Sequence, residues 1–457
     1  MDRRFSVRKD EMLAECEVSP QVFQGMVGRL VTFLEPFVRR MVRPEQRRHA
    51  LTCVRGLLSD LKRKNVESMA YRNDQDRGKL QHFVGVAEWD HRPLQQELVR
   101  QVGRELGQAD GVIVFDPSAF PKKGKQSVGV ARQWCGRLGK VDNCQVGVYM
   151  GYVSREEHML LAMRLYLPKE WASDRLRCKR AGVPRSVRFQ TRHEQALEML
   201  EENGEHLPHT WVAGDDEFGG SAGFRRDLHE RNETYLLAVP SNTTLRDLDA
   251  EPPPYQGRGA IPKRAFEQVR HWCAARDQSE WTRVFVRDGE KGPLEVELLT
   301  CRVEAKLNRR RMPYEETLVV IRYVDEEGTP KIDYYLSNAP TDTPLREFAR
   351  VSKSAHRIEE CIKRCKSESG LAGYEVRNWK GWHQHQILSL LACWFLLTES
   401  RRGGKTDSGH HRSSNPRRTV DAASRSASLR HANADRTRQN PSPQTKRTRT
   451  LLSPQNT

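Results

Sequence analysis

A chain of 457 residues and 52.8 kDa is long enough for roughly two to four domains with real cores, but at 37% hydrophobic and 30% charged, with a mean hydropathy of −0.76, it is polar for a fully folded protein. The longest apolar run, Ile387–Leu397, is 11 residues, well short of the ~20 that a membrane span needs, and MDRRFSVRKDE has no apolar signal core. Ten Cys without a CxxC pair or framework spacing exclude a disulfide scaffold and read as reduced thiols of a cytoplasmic protein.

Residues 1–108 read as a helical N-terminal region. Val22, Phe23, Met26, Leu30, Leu34 and Phe37 recur at three- and four-residue spacing, and Leu51, Val54, Leu57, Leu58 and Leu61 repeat the pattern. Arg39, Arg40, Arg47, Arg48, Lys62, Arg63 and Lys64 fill the gaps, as a solvated basic face or as a surface for a DNA end or a second subunit. From residue 109 the period changes. GVIVFD (111–116), CQVGVYMGYVS (144–154) and HMLLAMRLYLP (158–168) predict three consecutive strands, the last two joined by a hairpin turn at 154–157. A helix is predicted over 186–204, stopping at Asn203-Gly204, followed by strands at 209–215 and 234–240 around the short helix SAGFRRDLHERN. The order β-β-β-α-β-α-β predicts an α/β core. Residues 249–263 are a Pro/Gly-rich break, and short strands over 281–338 make 249–340 a β-rich insertion. Helical character returns over 345–397. From 400 to 457 the text has no periodicity and predicts a disordered basic tail, either a DNA-binding arm or a frameshifted reading of a once-folded terminus.

Charge narrows the partner. The net charge is +17, and the segment from Arg401 onward holds 13 Lys/Arg against three Asp/Glu, so the tail is strongly basic and the body moderately so. Such an excess favours a polyanion, nucleic acid first, through counterion release. Asp116 and Asp215 each close an apolar strand in this reading. Carboxylates at the ends of neighbouring strands share a crevice and suit Mg²⁺, although strand-end Asp residues also commonly cap turns. Asp216 competes with Asp215. A third carboxylate would come from the later helices, as Glu359 or Glu375. Lys122, Lys123, Lys125, Arg132 and Arg137 lie among Gly124, Gly129 and Gly136 in a basic loop over 121–137, suited to backbone phosphates, with Trp134 placed to stack on a base or anchor the loop. His383-Gln384-His385 lacks partner ligands for zinc, and Cys361 and Cys365, one helical turn apart beside Ile358 and Ile362, read as core packing.

Three blocks carry a resemblance. FDPSAFPKKGKQSVGVARQWCGRLGKVDNCQVGV, WVAGDDEFG and HRIEECIKRCKSESGLAGYEVRNWKGWHQHQILSLLACWFL resemble, in that order, the catalytic blocks of bacterial insertion-sequence transposases of the DDE superfamily. The resemblance spans roughly residues 10–400. It implies a ribonuclease-H-like core with a β-rich insertion before the last catalytic helix. It also implies a triad of Asp116, Asp215 and Glu359 holding two Mg²⁺ (or Mn²⁺) ions. Lys366, with six residues between it and Glu359, would sit on a phosphate. A Tyr and an Arg expected before the Glu would fall at Ser352 and Ala355 and are absent; His356 and Arg357 stand nearby. The implied activity is cleavage at element ends followed by attack of the freed 3′-hydroxyl on target DNA. The implied partners are double-stranded DNA carrying terminal inverted repeats, target DNA and a second copy of the chain. A decayed DNA-binding regulator and a nuclease on the same fold are the alternatives.

Overall fold

The computed structural model describes residues 25–406 apart from 259–261, 290–291, 308–309, 312–313 and 325–327; the expectations for the first 24 residues and for the tail beyond 406 lie outside the described residues, while 400–406, read as the start of a disordered tail, are helical because they continue the last helix. Among the described residues five helices come first: α1 (Met26–Val38), α2 (Pro44–Leu57), α3 (Val66–Arg72), α4 (Arg77–Gly85) and α5 (Arg92–Leu106). Their start signals are local. Pro44 opens α2, the Asn65 side chain accepts from Ser68 N–H at the start of α3, and Asp76 does the same for Lys79 at α4. Of the apolar stripe read in the sequence, Leu30, Leu34 and Phe37 are almost fully enclosed on the buried face of α1, and Val22 and Phe23 lie outside the described residues.

The sheet begins with β1 (Val112–Pro121), β2 (Ala131–Cys135), β3 (Lys140–Val153) and β4 (His158–Leu165), of which β1, β2 and β4 each pair antiparallel with β3. Helix α6 (Lys169–Ser173), α7 (Arg175–Arg180) and α8 (Arg192–Asn203) then lead to β5 (Trp211–Gly214), which lies parallel to β1. A capping box between Thr191 and Glu194 starts α8. The helix therefore begins at 192 and not at 186 as its periodicity predicts. Short α9 (Asp216–Gly219) and α10 (Ala222–Glu230) precede β6 (Thr234–Ala238), parallel to β5. The order β4-β3-β1-β5-β6, with three antiparallel strands and then two parallel ones, is the ribonuclease-H-like mixed sheet.

Beyond β6 the sheet continues. β7 (Thr244–Asp247), β8 (Glu267–Gln268), α11 (Val269–Ala274), β9 (Thr282–Gly289), β10 (Gly292–Leu307), β11 (Arg310–Arg311), β12 (Glu316–Val324) and β13 (Pro330–Ser337) follow in the chain. β13 pairs with β6, so the strands of residues 249–340 extend the core sheet edge. The junction is tied internally: Arg225 of α10 donates from Nε to Glu316 Oε1 of β12 at 2.7 Å, and Tyr235 of β6 donates to the same oxygen at 2.6 Å. The chain ends its described part with α12 (Leu345–Glu368) and α13 (Trp379–Thr406).

Two layers of helices cover the two faces. Phe115 of β1 meets Phe218 and Phe224 at ring separations of 5.9 and 6.4 Å, which places α9 and α10 on one face. Asp116, Ser118 and Phe120 alternate onto the other face. There Lys366 of α12 donates to Ser118 Oγ at 2.7 Å and lies 5.1 Å from the Phe120 ring. α12 comes so close to β3 that a Cβ on Gly151 would stand 2.4 Å from Ile358 Cδ1.

Two sequence expectations need correction. β1 does not end at Asp116 but runs five residues further, because Pro117–Pro121 keep a full ladder with Cys144–Val148. The segment 121–137 is not one mobile loop: Val128, Gly129 and Val130 are buried, and Ala131–Cys135 form edge strand β2 against β3. The period-two pattern of ARQWC is too short and too polar to stand out from its basic surroundings.

Candidate active site

Asp116 and Asp215 are neighbours across the parallel ladder. The β1–β5 register pairs Phe115 with Gly214, so the next residue on each strand is an Asp, with strands about 5 Å apart. A Cβ on Gly214 would meet Phe218, on the Phe115 face. Asp215, one residue on, leans toward the Asp116 side. Its Oδ1 accepts from Glu217 N–H (3.1 Å) and Phe218 N–H (3.4 Å), so it caps α9 as well. The aromatic-Gly pair after it has a packing reason: a Cβ on Gly219 would lie 1.9 Å from the Ala238 carbonyl oxygen.

α12 brings the remaining charges. Asp116 keeps some exposed surface at the crevice mouth, yet its carboxylate is densely surrounded. Burial raises its pKa well above the usual carboxylate range; the charges of Asp215 and Glu359 push the same way, Lys366 opposes them, and Glu217 adds a little more. Asp215 is pushed up to about 7, by burial first and then by Glu217 and Asp216, against the two backbone N–H bonds. Glu359 differs. Its side chain is 53% exposed, with Lys363 Nζ at 2.9 Å and His356 Nδ1 at 3.8 Å. The neighbouring His356 first, and Lys363 with it, hold it down at about 2 against partial burial. Lys366 is lowered by burial and then by the nearby charge of Arg137.

Of the residues singled out in the sequence, the structure sets Asp116 and Asp215 at adjacent strand ends and fixes Lys366 on Ser118 beside them; the charge of Glu359 reaches Asp116 and that of Arg137 reaches Lys366, but the three carboxylates do not bring their oxygens within 4.8 Å of one another. Lys123, Lys125 and Arg132 are exposed further along the same edge, and Trp134 there is 58% exposed. Lys122 turns inward. It stands 3.7 Å over the Tyr374 ring, and burial lowers its pKa to about 8. Glu375 accepts from Asn65 Nδ2 at 2.9 Å and does not figure among the charges acting on Asp116. Arg357 donates to the Ser154 and Glu156 carbonyls, tying α12 to the β3–β4 turn. His383 and His385 are buried against the Trp379 and Gly370 carbonyls. Beside Lys366 opens a cleft of about 370 Å³, lined by Lys62, Arg63, Lys64, Ser367 and Tyr374 among others.

Two participants escaped the sequence reading. Ser118 fixes Lys366, and its signal was its place two residues after Asp116 on one strand face. Glu217 is clamped by Arg192 NH1 at 2.7 and 2.6 Å, a partnership across 25 residues that no local pattern announces. The donor set of Asp116, Asp215 and Glu359 is all hard carboxylate oxygen. Burial first, and then the charges of Asp215 and Glu359, disfavour the ionised Asp116, a cost that a divalent cation would offset, and hard oxygen donors suit Mg²⁺ or Mn²⁺.

A chain described as a probable transposase for insertion sequence element IS701, from Microchaete diplosiphon, is 31% identical over 198 residues; the match covers 41% of this chain and 47% of that relative, about half its length. A cryo-EM structure of a piggyBac transposase synaptic complex with hairpin DNA aligns over 93% of this chain and 86% of that one, at 10% identity and a TM-score of 0.39. The family model described as DDE superfamily endonuclease matches residues 36–293, more than half of the chain and inclusive of Asp116 and Asp215. The chain belongs to the DDE superfamily of endonucleases.

Proposed function

We propose that this chain is a DNA transposase that cuts the ends of a mobile element and joins the freed 3′-hydroxyl to target DNA, using two divalent ions, Mg²⁺ or Mn²⁺, held by Asp116, Asp215 and Glu359. The observation that supports the reading is the β1–β5 register, which sets Asp116 and Asp215 at adjacent strand ends, with Lys366 of α12 held on Ser118 two residues after Asp116. Bound there, divalent ions supply the positive charge that activates an attacking hydroxyl and steadies the leaving oxygen of a phosphodiester.

The chain's own residues do the rest. Lys366 is a compact point charge for a phosphate oxygen, and Ser118 holds its ammonium on the Asp116 face of β1. Asp215 spends one oxygen on the α9 cap, which fixes the orientation of the other. Lys363 and His356 hold Glu359 ionised and aligned along α12. The basic cleft beside Lys366, and the exposed Lys123, Lys125 and Arg132, form a track for the phosphate backbone. Trp134 offers a face for a frayed base at the cut end. Two ends must be held at once, so the working form is a homodimer on terminal inverted repeats, in the nucleoid. No described helix is long and apolar enough to cross a membrane.

Purified protein is tested on DNA spanning the inverted repeats that flank the gene. Mg²⁺-dependent nicking at the repeat boundary is expected, and Asp116→Ala and Glu359→Ala should lose it. Residual nicking equal to wild type in those variants removes the catalytic reading.

A further inference from the structure

Behind the proposed catalytic helix lies a second cluster, of different chemistry. The Sγ atoms of Cys361, Cys365 and Cys393 all lie within 4.8 Å of one another, and all three side chains are buried. Cys365 and Cys393 sulfurs are 2.9 Å apart. Cys361 and Cys365 sit one turn apart on α12, at roughly 120–160° round the helix from Glu359, and Cys393 comes from α13, which runs antiparallel beside it with Ser389 against Ser369.

These thiols differ from other buried cysteines of the chain. Cys178 donates to the Trp171 carbonyl at 3.1 Å, and Cys301 to Asp247 Oδ1 at 3.1 Å. In the cluster, sulfur faces sulfur from three separate positions. A tetrahedral thiolate site with Zn–S near 2.3 Å requires sulfurs about 3.8 Å apart, so Cys365 and Cys393, at 2.9 Å, would part by about 1 Å on binding. His158, at the start of β4 under α12, stands outside the 4.8 Å group of three sulfurs, but its charge acts on Cys361 and both its ring nitrogens are shielded from solvent, so a side-chain rotation toward the cluster would supply the fourth donor. Arg364, also largely buried, adds a positive charge that acts on all three sulfurs.

We propose that Cys361, Cys365 and Cys393, with His158 as the fourth ligand, form a closed structural Zn²⁺ site that clamps α12 to α13 and β4 from the side away from Glu359 and Lys366. On binding, three S–H protons pass to solvent as three Zn–S bonds form and His158 contributes a ring lone pair. The site becomes net negative, and Arg364 balances it. Sulfur and imidazole select Zn²⁺, whereas the carboxylates of Asp116, Asp215 and Glu359 select Mg²⁺, so the two sites do not compete for one ion. The site stands whether or not the chain cuts DNA.

The full chain, purified without chelator and dialysed, is analysed for metal by plasma mass spectrometry. One zinc per chain is expected in the wild type and in an Asp116→Ala/Asp215→Ala variant. Exchange into Co²⁺ should give the thiolate charge-transfer and intense d–d absorption of tetrahedral sulfur coordination. Cys393→Ser should lose the zinc. Should that variant fail to fold, His158→Gln, which keeps the three sulfurs, should shift the cobalt spectrum. Wild-type protein that contains no stoichiometric metal and gives no cobalt–thiolate band overturns the proposal. So does a Cys365–Cys393 disulfide found by non-reducing peptide mapping.

Discussion

Replacing Asp215 by Asn removes a charge while keeping the shape. Asn retains an Oδ1 that accepts the Glu217 and Phe218 N–H bonds, so the cap on α9 survives. What is lost is a carboxylate whose pKa burial and the neighbouring Glu217 and Asp216 push up from 3.8 to about 7. A carboxylate with a raised folded-state pKa binds its proton more tightly in the fold than in the unfolded chain. Its contribution to stability is therefore fullest below pH ~4 and is lost as pH rises to about 7. At 1.36 kcal/mol per pH unit, the interval from 3.8 to about 7 means that ionised Asp215 destabilises the metal-free fold by about 4 kcal/mol at pH 8. In EDTA, Asp215→Asn should thus be more stable than wild type at pH 8, the difference shrinking as pH falls toward 4. Urea unfolding at a series of pH values reads this directly. Added Mg²⁺ should stabilise the wild type and leave the variant where it was. A variant no more stable than wild type at pH 8 in EDTA, or a difference that grows as pH falls, refutes the reasoning.

Other outcomes follow from single contacts. Lys366→Ala removes the ammonium held by Ser118 and should slow single-turnover end cleavage about 100-fold, with little change in melting temperature. Glu375→Gln keeps an acceptor for Asn65 and should leave cleavage within about two-fold of wild type, whereas a large loss would mean that Glu375 is the third acid. Arg225→Met leaves Glu316 buried without its guanidinium and should lower stability by about 3–5 kcal/mol in urea unfolding, with much of the loss restored when Glu316 also becomes Met. Trp134→Ala should not alter stability, since the ring is mostly exposed, but should weaken binding to frayed-end DNA by about 1–3 kcal/mol in a fluorescence titration.

Much of the core was legible in the sequence because it is local. GVIVFD, HTWVAGD and TYLLAVP are short apolar runs bounded by polar text, and they became β1, β5 and β6 at nearly the expected positions. The adjacency of Asp116 and Asp215 needed only the rule that parallel strands in such an order lie side by side. What stayed hidden is non-local. Glu217 is held by Arg192 of another helix. β1 continues past Asp116 because β3 is long enough to pair with it, a fact about the partner and not about PSAFP itself. Lys122 reads like its exposed neighbours Lys123 and Lys125, yet Tyr374, more than 250 positions away, draws it inward. Cys361 and Cys365 read as packing because the third sulfur, Cys393, belongs to another helix.

The central claim is that three carboxylates share divalent ions, and it can be read without a DNA substrate. Fe²⁺ substituted for Mg²⁺, with ascorbate and peroxide, cuts the backbone beside the ion it replaces. Cuts are expected near residues 116, 215 and 359 in one protein, all suppressed by excess Mg²⁺ and all lost in Asp116→Ala. Cuts confined to one of these positions, or unaffected by Mg²⁺, would contradict it.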